Sequence, residues 1–220
     1  QYRQLREAAR IFLAGEEEAC QQYRPQFMEA AVGMTSPDEP TPLDDREPIP
    51  IRLPGGDEFR ARGRIDRVDR LGPESAHEYA VWDYKTGSTW KFRTAKNYAT
   101  GRIVQPSLYR AMVQTALRRK IDPRAVVRLF GYYFPTVQGQ GDRLFRSEEE
   151  LAAGQAVLER LCRIVAAGAF PATSDVDDCA YCDYAPVCRN PQAAAERSQV
   201  KLDDPVNESL RPFRELRNDE

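Results

Sequence analysis

The sequence contains no long apolar segment, and its 32 basic and 34 acidic residues nearly cancel, leaving a formal net charge of −2. No run approaches the roughly 18 apolar residues of a membrane-spanning helix, and the first residues lack the charged-then-apolar pattern of a secretion signal. The charge balance argues against a surface coated in positive charge for nucleic acid, although a local basic patch stays compatible with it. We therefore expect a cytoplasmic protein that does not bind membranes.

Histidine is nearly absent, and the cysteines are unevenly spread. The single histidine, His77, lies in or beside a turn between two predicted strands, so we assign it no role. Five cysteines are an odd number, and three of them fall within ten residues near the C-terminus. This distribution disfavours a secreted disulfide framework and favours metal or cluster ligation.

The length of 220 residues and the hydrophobic content of 41% fit one medium-sized domain with a small appendage. Ser147 and Glu150 form a capping box at the start of the last predicted helix. Helical patterns cover residues 1–22, 106–120 and 148–168. Strand patterns cover residues 27–34, 49–53, 58–71, 77–86, 125–134 and 142–147. The strands over 49–86 are predicted to form a three-strand antiparallel meander, and the whole is a mixed α/β domain, with a sheet flanked by helices.

Composition divides the chain into three segments. We expect a core domain over residues 1–170, a cysteine-cluster segment over 171–192 and a polar C-terminal tail over 193–220. The chain begins with Gln1 rather than Met, inside a helical pattern, which is consistent with truncation at the N-terminus.

The strand that ends in Asp83 and Lys85 carries the first chemical signal. Alternate side chains of a strand share a face, so Asp83 and Lys85 point one way. The aromatic residues Trp82 and Tyr84 point the other way. If the preceding strand is a neighbour, Asp66 can lie beside Asp83. Two adjacent carboxylates raise each other's pKa, and a hard divalent metal such as Mg²⁺ would relieve that repulsion. Lys85 could then orient or help activate a water, or stabilise charge on a phosphate.

A second interpretation involves no catalysis. An Asp and a Lys two residues apart on a strand are commonly an exposed ion pair, and Asp66 lies among arginines with which it could pair at the surface. Such exposed pairs contribute only ~0–1 kcal/mol to stability. The arginines are Arg60, Arg62, Arg64 and Arg67.

Together, these motifs resemble the core of the PD-(D/E)XK nuclease superfamily, and specifically its RecB-like branch. The stretch "GRIDRVD" contains Asp66, and "VWDYKTG" contains Asp83 and Lys85. The resemblance implies a restriction-endonuclease-like fold in which Asp66 and Asp83 bind Mg²⁺ or Mn²⁺ and Lys85 is catalytic. RecB-like nucleases also have a Q-x-x-x-Y motif on the next helix, which Gln105 and Tyr109 match at a spacing that puts both on one helical face.

Two parts of this pattern are less regular. Pro106 follows Gln105 directly, which places Gln105 at the start of the helix. The family usually has one more site residue, a His or Glu on a helix before the first strand. Glu29 is our candidate for that third carboxylate, and the alternative is a residue in a missing N-terminal part. The acids of the first helix, Glu7 and Glu16 to Glu18, are expected to be solvated.

The C-terminal cysteines Cys179, Cys182 and Cys188 have the spacing C-x₂-C-x₅-C. They resemble the end of the iron-sulfur motif of AddB-type and CRISPR-associated RecB-like nucleases, whose fourth cysteine comes from far upstream. That resemblance implies a [4Fe–4S] cluster completed by Cys20. Two alternatives stay open: zinc bound by the same four cysteines, and a fourth ligand in a missing N-terminal segment, with Cys20 incidental. Cys162 lies on the apolar face of its helix and is expected in the core.

The function that the resemblance implies is metal-dependent hydrolysis of DNA, as an exonuclease in DNA repair or recombination, with a helicase as partner or fused domain. Basic residues near the site could guide the phosphate backbone. Aromatic residues could stack on a splayed base, and the equal alternative is that each one packs in the core or lies on the surface. The basic candidates are the "RARGR" strand, Lys91, Arg93 and Lys96, and the aromatic ones are Trp90, Tyr98 and Tyr109. The alternatives are an inactive nuclease-fold module that binds DNA or a helicase, and a structural metal–cysteine protein.

Overall fold

The computed structural model of the chain describes residues 2–36, 39–94, 98 and 101–218, apart from the side chains of Glu74, Thr94 and Tyr181. The helices are α1 (Tyr2–Ala19), α2 (Trp90–Thr94), α3 (Gln105–Lys120), α4 (Glu148–Ala166), α5 (Ala185–Cys188), α6 (Pro191–Asp203) and α7 (Arg211–Arg217). The strands are β1 (Tyr23–Val32), β2 (Ile49–Arg52), β3 (Glu58–Ala61), β4 (Gly63–Leu71), β5 (Glu78–Tyr84), β6 (Val126–Phe134) and β7 (Asp142–Arg146). Among these residues, no helix has the length and apolarity that crossing a membrane requires.

The main sheet has the strand order β1-β4-β5-β6-β7. Its β5–β6 pair is parallel, and its other pairs are antiparallel. The connection between the two parallel strands contains α2 and α3, and α3 packs against β6. A separate sheet pairs β2 with β3. The prediction of a mixed α/β fold, with a sheet flanked by helices, is confirmed.

The predicted three-strand meander is wrong in one respect. The hairpin itself is present, since β2 pairs with β3. Residues 58–71 do not form one strand, however, because the chain leaves the hairpin at Arg62 and enters the main sheet as β4. There β4 lies between β1 and β5, and its first residue, Gly63, pairs with Val32. The chain turns away after Val32 at Gly33, whose φ of 78° is left-handed, so the β1–β4 pairing ends at this point.

The main hydrophobic core lies on the face of the sheet that α3 covers. Val68, Val81 and Phe130 are neighbours across three strands, and all three are fully buried. They belong to one cluster with Met112 and Leu117 of α3. This alternation of buried side chains fixes which residues of each strand must face the other side.

The opposite face carries aromatic side chains and is covered by α1. Trp82 and Tyr133 are buried there, and Phe12 of α1 packs against Tyr133. Two glycines permit this close approach. A Cβ on Gly131 would lie 2.6 Å from the Trp82 ring, and a Cβ on Gly15 would lie 2.5 Å from the Tyr133 hydroxyl.

A buried ion network also joins α1 to this face. Arg67 is 2% exposed, and its guanidinium donates to Asp69 at 2.6 Å and to Glu16 at 2.7 Å. Arg143 of β7 donates to the second carboxylate oxygen of Glu16 at 2.8 Å. Burial raises the pKa of Asp69, and the Arg67 guanidinium opposes that rise. The expectation that Glu16 is solvated is therefore wrong, because α1 places its carboxylate between two arginines of the sheet.

Local sequence signals set several element boundaries. The backbone N–H of Glu150 donates to the Ser147 hydroxyl at 3.3 Å, and the backbone N–H of Ser147 donates to the Glu150 carboxylate at 2.7 Å. This reciprocal pair is the predicted capping box at the start of α4. The helix α1 lies within its predicted range, whereas β1 begins earlier than predicted, at Tyr23.

The chain divides into two compact units, Gln1–Leu158 and Glu159–Glu220. In the second unit, much of the stretch interpreted as a polar tail is helical, since it forms α6 and α7. The buried residues of α6 are Ala195, Ser198 and Leu202, which recur at helical spacing. The segment is therefore amphipathic despite its polar composition.

We expect Glu16→Ala to lower the free energy of unfolding by about 1–3 kcal/mol, because Arg67 and Arg143 would lose a charged partner. Glu17→Ala is the matched control, since Glu17 is the next residue of the helix and is exposed. Chemical denaturation of both variants measures the difference. Equal stability of the two variants would contradict a structural role for the Glu16 carboxylate.

Candidate active site

The candidate site forms at the end of the β4–β5 ladder. The last pair of this ladder is Arg67 with Trp82, and one residue further along each strand lie Asp66 and Asp83. Burial raises the pKa of Asp83, and the nearby Asp66 carboxylate raises it further. The structure therefore brings the two sequence-predicted acids together.

Asp83 is held from two sides by polar side chains. Its carboxylate is buried, with Oδ2 lying 2.6 Å from Lys85 Nζ and Oδ1 accepting from Gln105 Nε2 at 2.5 Å. Lys85 Nζ also donates to Gln105 Oε1 at 3.3 Å. Both Lys85 and Gln105 favour the ionised carboxylate and so oppose the effect of burial on the pKa of Asp83. The three side chains close a ring of contacts that fixes each relative to the others.

Asp66 is partly buried and is anchored to the neighbouring strand. Its Oδ2 accepts the backbone N–H of Tyr84 at 2.7 Å. Because the backbone ladder has already ended at Arg67 and Trp82, the carboxylate takes the place of a strand partner for this N–H group. The contact holds Asp66 against the strand that carries Asp83.

The residues next to Asp83 along the strand face away from the site. Trp82 and Tyr84 belong to the aromatic cluster on the α1 side of the sheet. The Tyr84 hydroxyl accepts from Arg67 Nη1 at 3.3 Å. The end of β5 is therefore tied to the buried ion network behind it, while Asp83 and Lys85 face forward.

The helix α3 begins at Gln105, with Pro106 in its first turn. A proline there breaks no helical hydrogen bond, because the first N–H groups of a helix have no partner within it. Gln105 reaches Asp83 from this helix start. Tyr109, one turn later, lies over Gly63 at the start of β4, where a Cβ would come within 3.5 Å of its ring.

Glu29, the candidate third acid, lies on β1 and is level with Asp66 in the antiparallel pairing of β1 with β4. Its backbone is left-handed, with a φ of 53°. Its carboxylate lies 2.7 Å from Arg64 Nε and is 53% exposed. Glu29 is thus positioned beside the site along the sheet, with its charge directed to Arg64.

The basic residues expected to guide a phosphate backbone have different surroundings. Arg93 lies 2.6 Å from the Asp142 carboxylate. Arg64 pairs with Glu29. Lys96 lies outside the described residues. Arg60, Arg62 and Lys91 are exposed, as is Arg93 despite its pairing with Asp142.

The three aromatic candidates for base stacking also differ. Trp90 is 72% exposed at the start of α2. Tyr109 is half-buried. Tyr98 is buried, and its hydroxyl forms a hydrogen bond of 2.7 Å with the Ser107 hydroxyl. Of the two alternatives for Tyr98, the structure supports packing in the core and not base stacking, since its ring is buried inside the fold.

The C-terminal cysteines lie in short helical segments of the second unit. Cys179 belongs to the 3₁₀ helix Val176–Tyr181, Cys182 follows it, and Cys188 ends α5. No disulfide joins these cysteines, Cys162 or Cys20. Cys20 is exposed, and its thiol donates to the Glu17 carbonyl at 3.2 Å. Cys162, expected in the core, is half-buried. Within the part of the chain that the structure describes, no group of three or more His, Cys, Asp or Glu side chains is arranged to hold a metal ion.

By ligand chemistry, a hard divalent cation such as Mg²⁺ suits the oxygens of the acidic pair and not the cysteine thiols. Mg²⁺ is commonly held by one or two carboxylates, with water and substrate phosphate as its other ligands. Asp66 and Asp83 supply such a pair, and the raised pKa of Asp83 reflects a carboxylate that a cation would stabilise.

Two features of this region do not follow from the sequence patterns. The Arg67 network was missed because a run of alternating Arg and Asp is typical of a solvated strand, and only the position of α1 buries it. The ring of Tyr132, whose centroid lies 5.4 Å from Lys85 Nζ, was missed because the parallel pairing of Tyr132 with Asp83 is set by a crossover.

His77, to which no role is assigned, pairs with Asp122 at the other end of β5.

Comparison with models of protein families identifies the family that this chain matches. The sequence model of the PD-(D/E)XK nuclease superfamily matches residues 1–189. This span includes Asp66, Asp83, Lys85 and Gln105. No curated protein matches the chain.

We expect Lys85→Ala to raise the pKa of Asp83 further, because the carboxylate would stay buried and lose the ammonium 2.6 Å away. The measurement is a pH titration of the Asp83 carboxyl ¹³C signal. Lys91→Ala is the matched control, since Lys91 is an exposed lysine of the neighbouring helix. A titration of Asp83 that is the same in both variants would show that Lys85 does not stabilise the carboxylate.

Proposed function

The chain belongs to the PD-(D/E)XK nuclease superfamily, and we propose that it is a metal-dependent deoxyribonuclease whose site consists of Asp66, Asp83, Lys85 and Gln105. The observation that carries this proposal is the ring of contacts in which Lys85 and Gln105 each hold Asp83 and also hold each other, with Asp66 alongside. A surface ion pair would be exposed, whereas Asp83 is 4% exposed. The reaction is hydrolysis of a phosphodiester bond.

Asp66 and Asp83 would supply the protein ligands of the metal. Both Mg²⁺ and Mn²⁺ accept carboxylate and water oxygens as donors. When bound, such an ion acts as a Lewis acid on a phosphoryl oxygen. The backbone N–H of Tyr84 keeps the Asp66 carboxylate in place, and Gln105 does the same for Asp83.

Lys85 would stabilise the negative charge that develops on the phosphate in the transition state. Its Nζ lies 2.6 Å from Asp83, so a phosphate held beside Asp83 is within reach of the ammonium. Gln105 contacts both side chains and therefore acts as a positioning residue. A misplacement of about 1 Å at such a site can cost on the order of 100-fold in rate, which gives this positioning its value.

DNA would approach over the segment that follows Lys85. Trp90 there is exposed enough to stack on a base, and Lys91 beside it is exposed enough to meet a phosphate. We propose Glu29 as the third acid, supported by its position level with Asp66 on the adjacent strand. Tyr109 would line the same cleft from α3.

Within the superfamily, we propose that the chain belongs to the RecB-like branch and acts as an exonuclease in DNA repair with a helicase partner. Its support is the placement of Gln105 at the start of the helix that follows β5, in contact with Asp83. The alternative is a module that binds DNA or a helicase without cleaving. Closed circular and linear DNA offered as substrates distinguish exonuclease from endonuclease action, since a circle has no end.

We expect the protein to cleave single- or double-stranded DNA in Mg²⁺ or Mn²⁺, and Asp83→Ala to lose at least 100-fold in rate. The buried carboxylate would be a metal ligand, and its loss removes one of the two proposed aspartate ligands. Asp57→Ala is the matched control, since Asp57 is an exposed aspartate in the β2–β3 turn. Binding of DNA without cleavage by the unaltered protein would favour the inactive module, and equal cleavage by Asp83→Ala and Asp57→Ala would exclude this site.

Metal binding by the cysteines is a separate proposal. The pKa of the Cys179 thiol is raised by desolvation and by the thiols of Cys182 and Cys188. Thiolates close enough to repel one another are stabilised by a bound cation. The described arrangement does not itself form a metal site, so ligation by an iron-sulfur cluster or by zinc would draw the thiols together.

Iron and zinc analysis of the anaerobically purified protein, with its visible absorbance, tests the cysteine proposal. We expect Cys182→Ser to lose the metal and Cys162→Ser to keep it, because Cys162 lies outside the motif on α4. Cys20→Ser then reports whether Cys20 is the fourth ligand. Absence of both metals, or equal metal content in the Cys182 and Cys162 variants, would contradict ligation by this motif.

A further inference from the structure

Lys85 has aromatic rings as well as polar groups around its ammonium. The Nζ atom lies 5.4 Å from the ring centroid of Tyr132 and 6.0 Å from that of Phe92. The two rings contact each other, with centroids 4.5 Å apart and planes inclined by 51°. Asp83 and Gln105 contact the same nitrogen at 2.6 Å and 3.3 Å. The ammonium is thus bounded by oxygens on one side and by aromatic rings on another.

Two separate elements bring these rings to Lys85. The parallel pairing of β5 with β6 puts Tyr132 opposite Asp83, so that Tyr132 is adjacent to the strand end that carries the site. Phe92 comes from α2, which follows β5 in the chain. Its ring also packs against Phe134, at a centroid distance of 5.5 Å.

The Tyr132 ring is buried and uncharged near the site. Burial and the Asp83 carboxylate both raise the pKa of its phenol well above the usual value. A neutral aromatic ring attracts a cation through the negative charge density of its face, and the attraction increases where water is excluded. A lysine side chain has many rotamers, so surrounding groups decide where its ammonium lies.

We propose that Phe92 and Tyr132 form an aromatic wall that positions the Lys85 ammonium against Asp83. This inference rests on the proposed function for its catalytic consequence, and on the geometry alone for the position of the ammonium. The wall acts through Lys85, so Phe92 and Tyr132 are positioning residues. It also ties α2 to the site, since Phe92 belongs to that helix and its ring contacts Tyr132.

The position of the ammonium can be measured without any cleavage assay. The chain contains only five lysines, so lysine-selective ¹³C labelling produces few ε-methylene signals, and Lys85→Ala identifies the one that belongs to Lys85. We expect that signal to be shifted upfield by ring currents. Phe92→Leu should remove part of the shift, whereas Tyr132→Phe, which keeps the ring, should retain it.

Phe134→Leu is the matched control. It removes a ring from the same aromatic group, but the contacts to Lys85 Nζ come from Phe92 and Tyr132. Thermal melting followed by circular dichroism confirms that each variant is folded. A Lys85 signal without an upfield shift would overturn the proposal, as would an equal response to Phe92→Leu and Phe134→Leu.

Cleavage kinetics test the consequence for catalysis. We expect Phe92→Leu to lower kcat by roughly 2- to 30-fold, the range that corresponds to one cation–π contact, and to leave the KM for DNA unchanged. In a Lys85→Ala background the same change should have no further effect, because the group that the wall positions is gone. A kcat loss that persists in that background would overturn the positioning role. If the unaltered protein does not cleave DNA, the proposed function fails, and the lysine signal alone decides whether the wall exists.

Discussion

The site depends on where the backbone ladder between β4 and β5 ends. Pairing of Arg67 with Trp82 is the last step of that ladder, and it determines which side chains of both strands reach the α1 side of the sheet. A slip of one residue would exchange the faces, since side chains alternate along a strand. Asp83 would then turn toward α1, and an aromatic residue would replace it at the site. The end of the ladder also leaves the Tyr84 N–H for the carboxylate of Asp66.

The two faces of the β4–β5 pair carry different groups of polar contacts. Behind the sheet, Arg67 binds Asp69, Glu16 and the Tyr84 hydroxyl, so the strand ends are held by buried charge and not only by apolar packing. In front, Asp83 is the common partner of Lys85 and Gln105. A site held on both sides is preorganised, because each functional side chain has its rotamer limited by neighbours that are themselves fixed.

Features set by local chemistry could be predicted. The Ser147 capping box, the β2–β3 hairpin and the alternation that separates Asp83 from Trp82 all follow from rules that act over a few residues. Features set by long-range packing could not. The helical pattern predicts a solvated Glu16, but its carboxylate pairs with arginines of the sheet. Tyr98 is buried because the fold brings it against α3, where its hydroxyl bonds to that of Ser107.

The motif residues Asp66, Asp83, Lys85 and Gln105 can be identified from the sequence. The same is true of the alternation that makes Asp83 and Lys85 share a face, because strand period and side-chain chemistry are local properties. Three contacts follow only from the folded chain: Asp66 lies beside Asp83 at the end of a ladder, Gln105 bridges Asp83 and Lys85, and aromatic rings border the ammonium. These contacts join strands and helices far apart in the chain. Their geometry depends on strand order, register and crossover, which no short stretch of residues encodes.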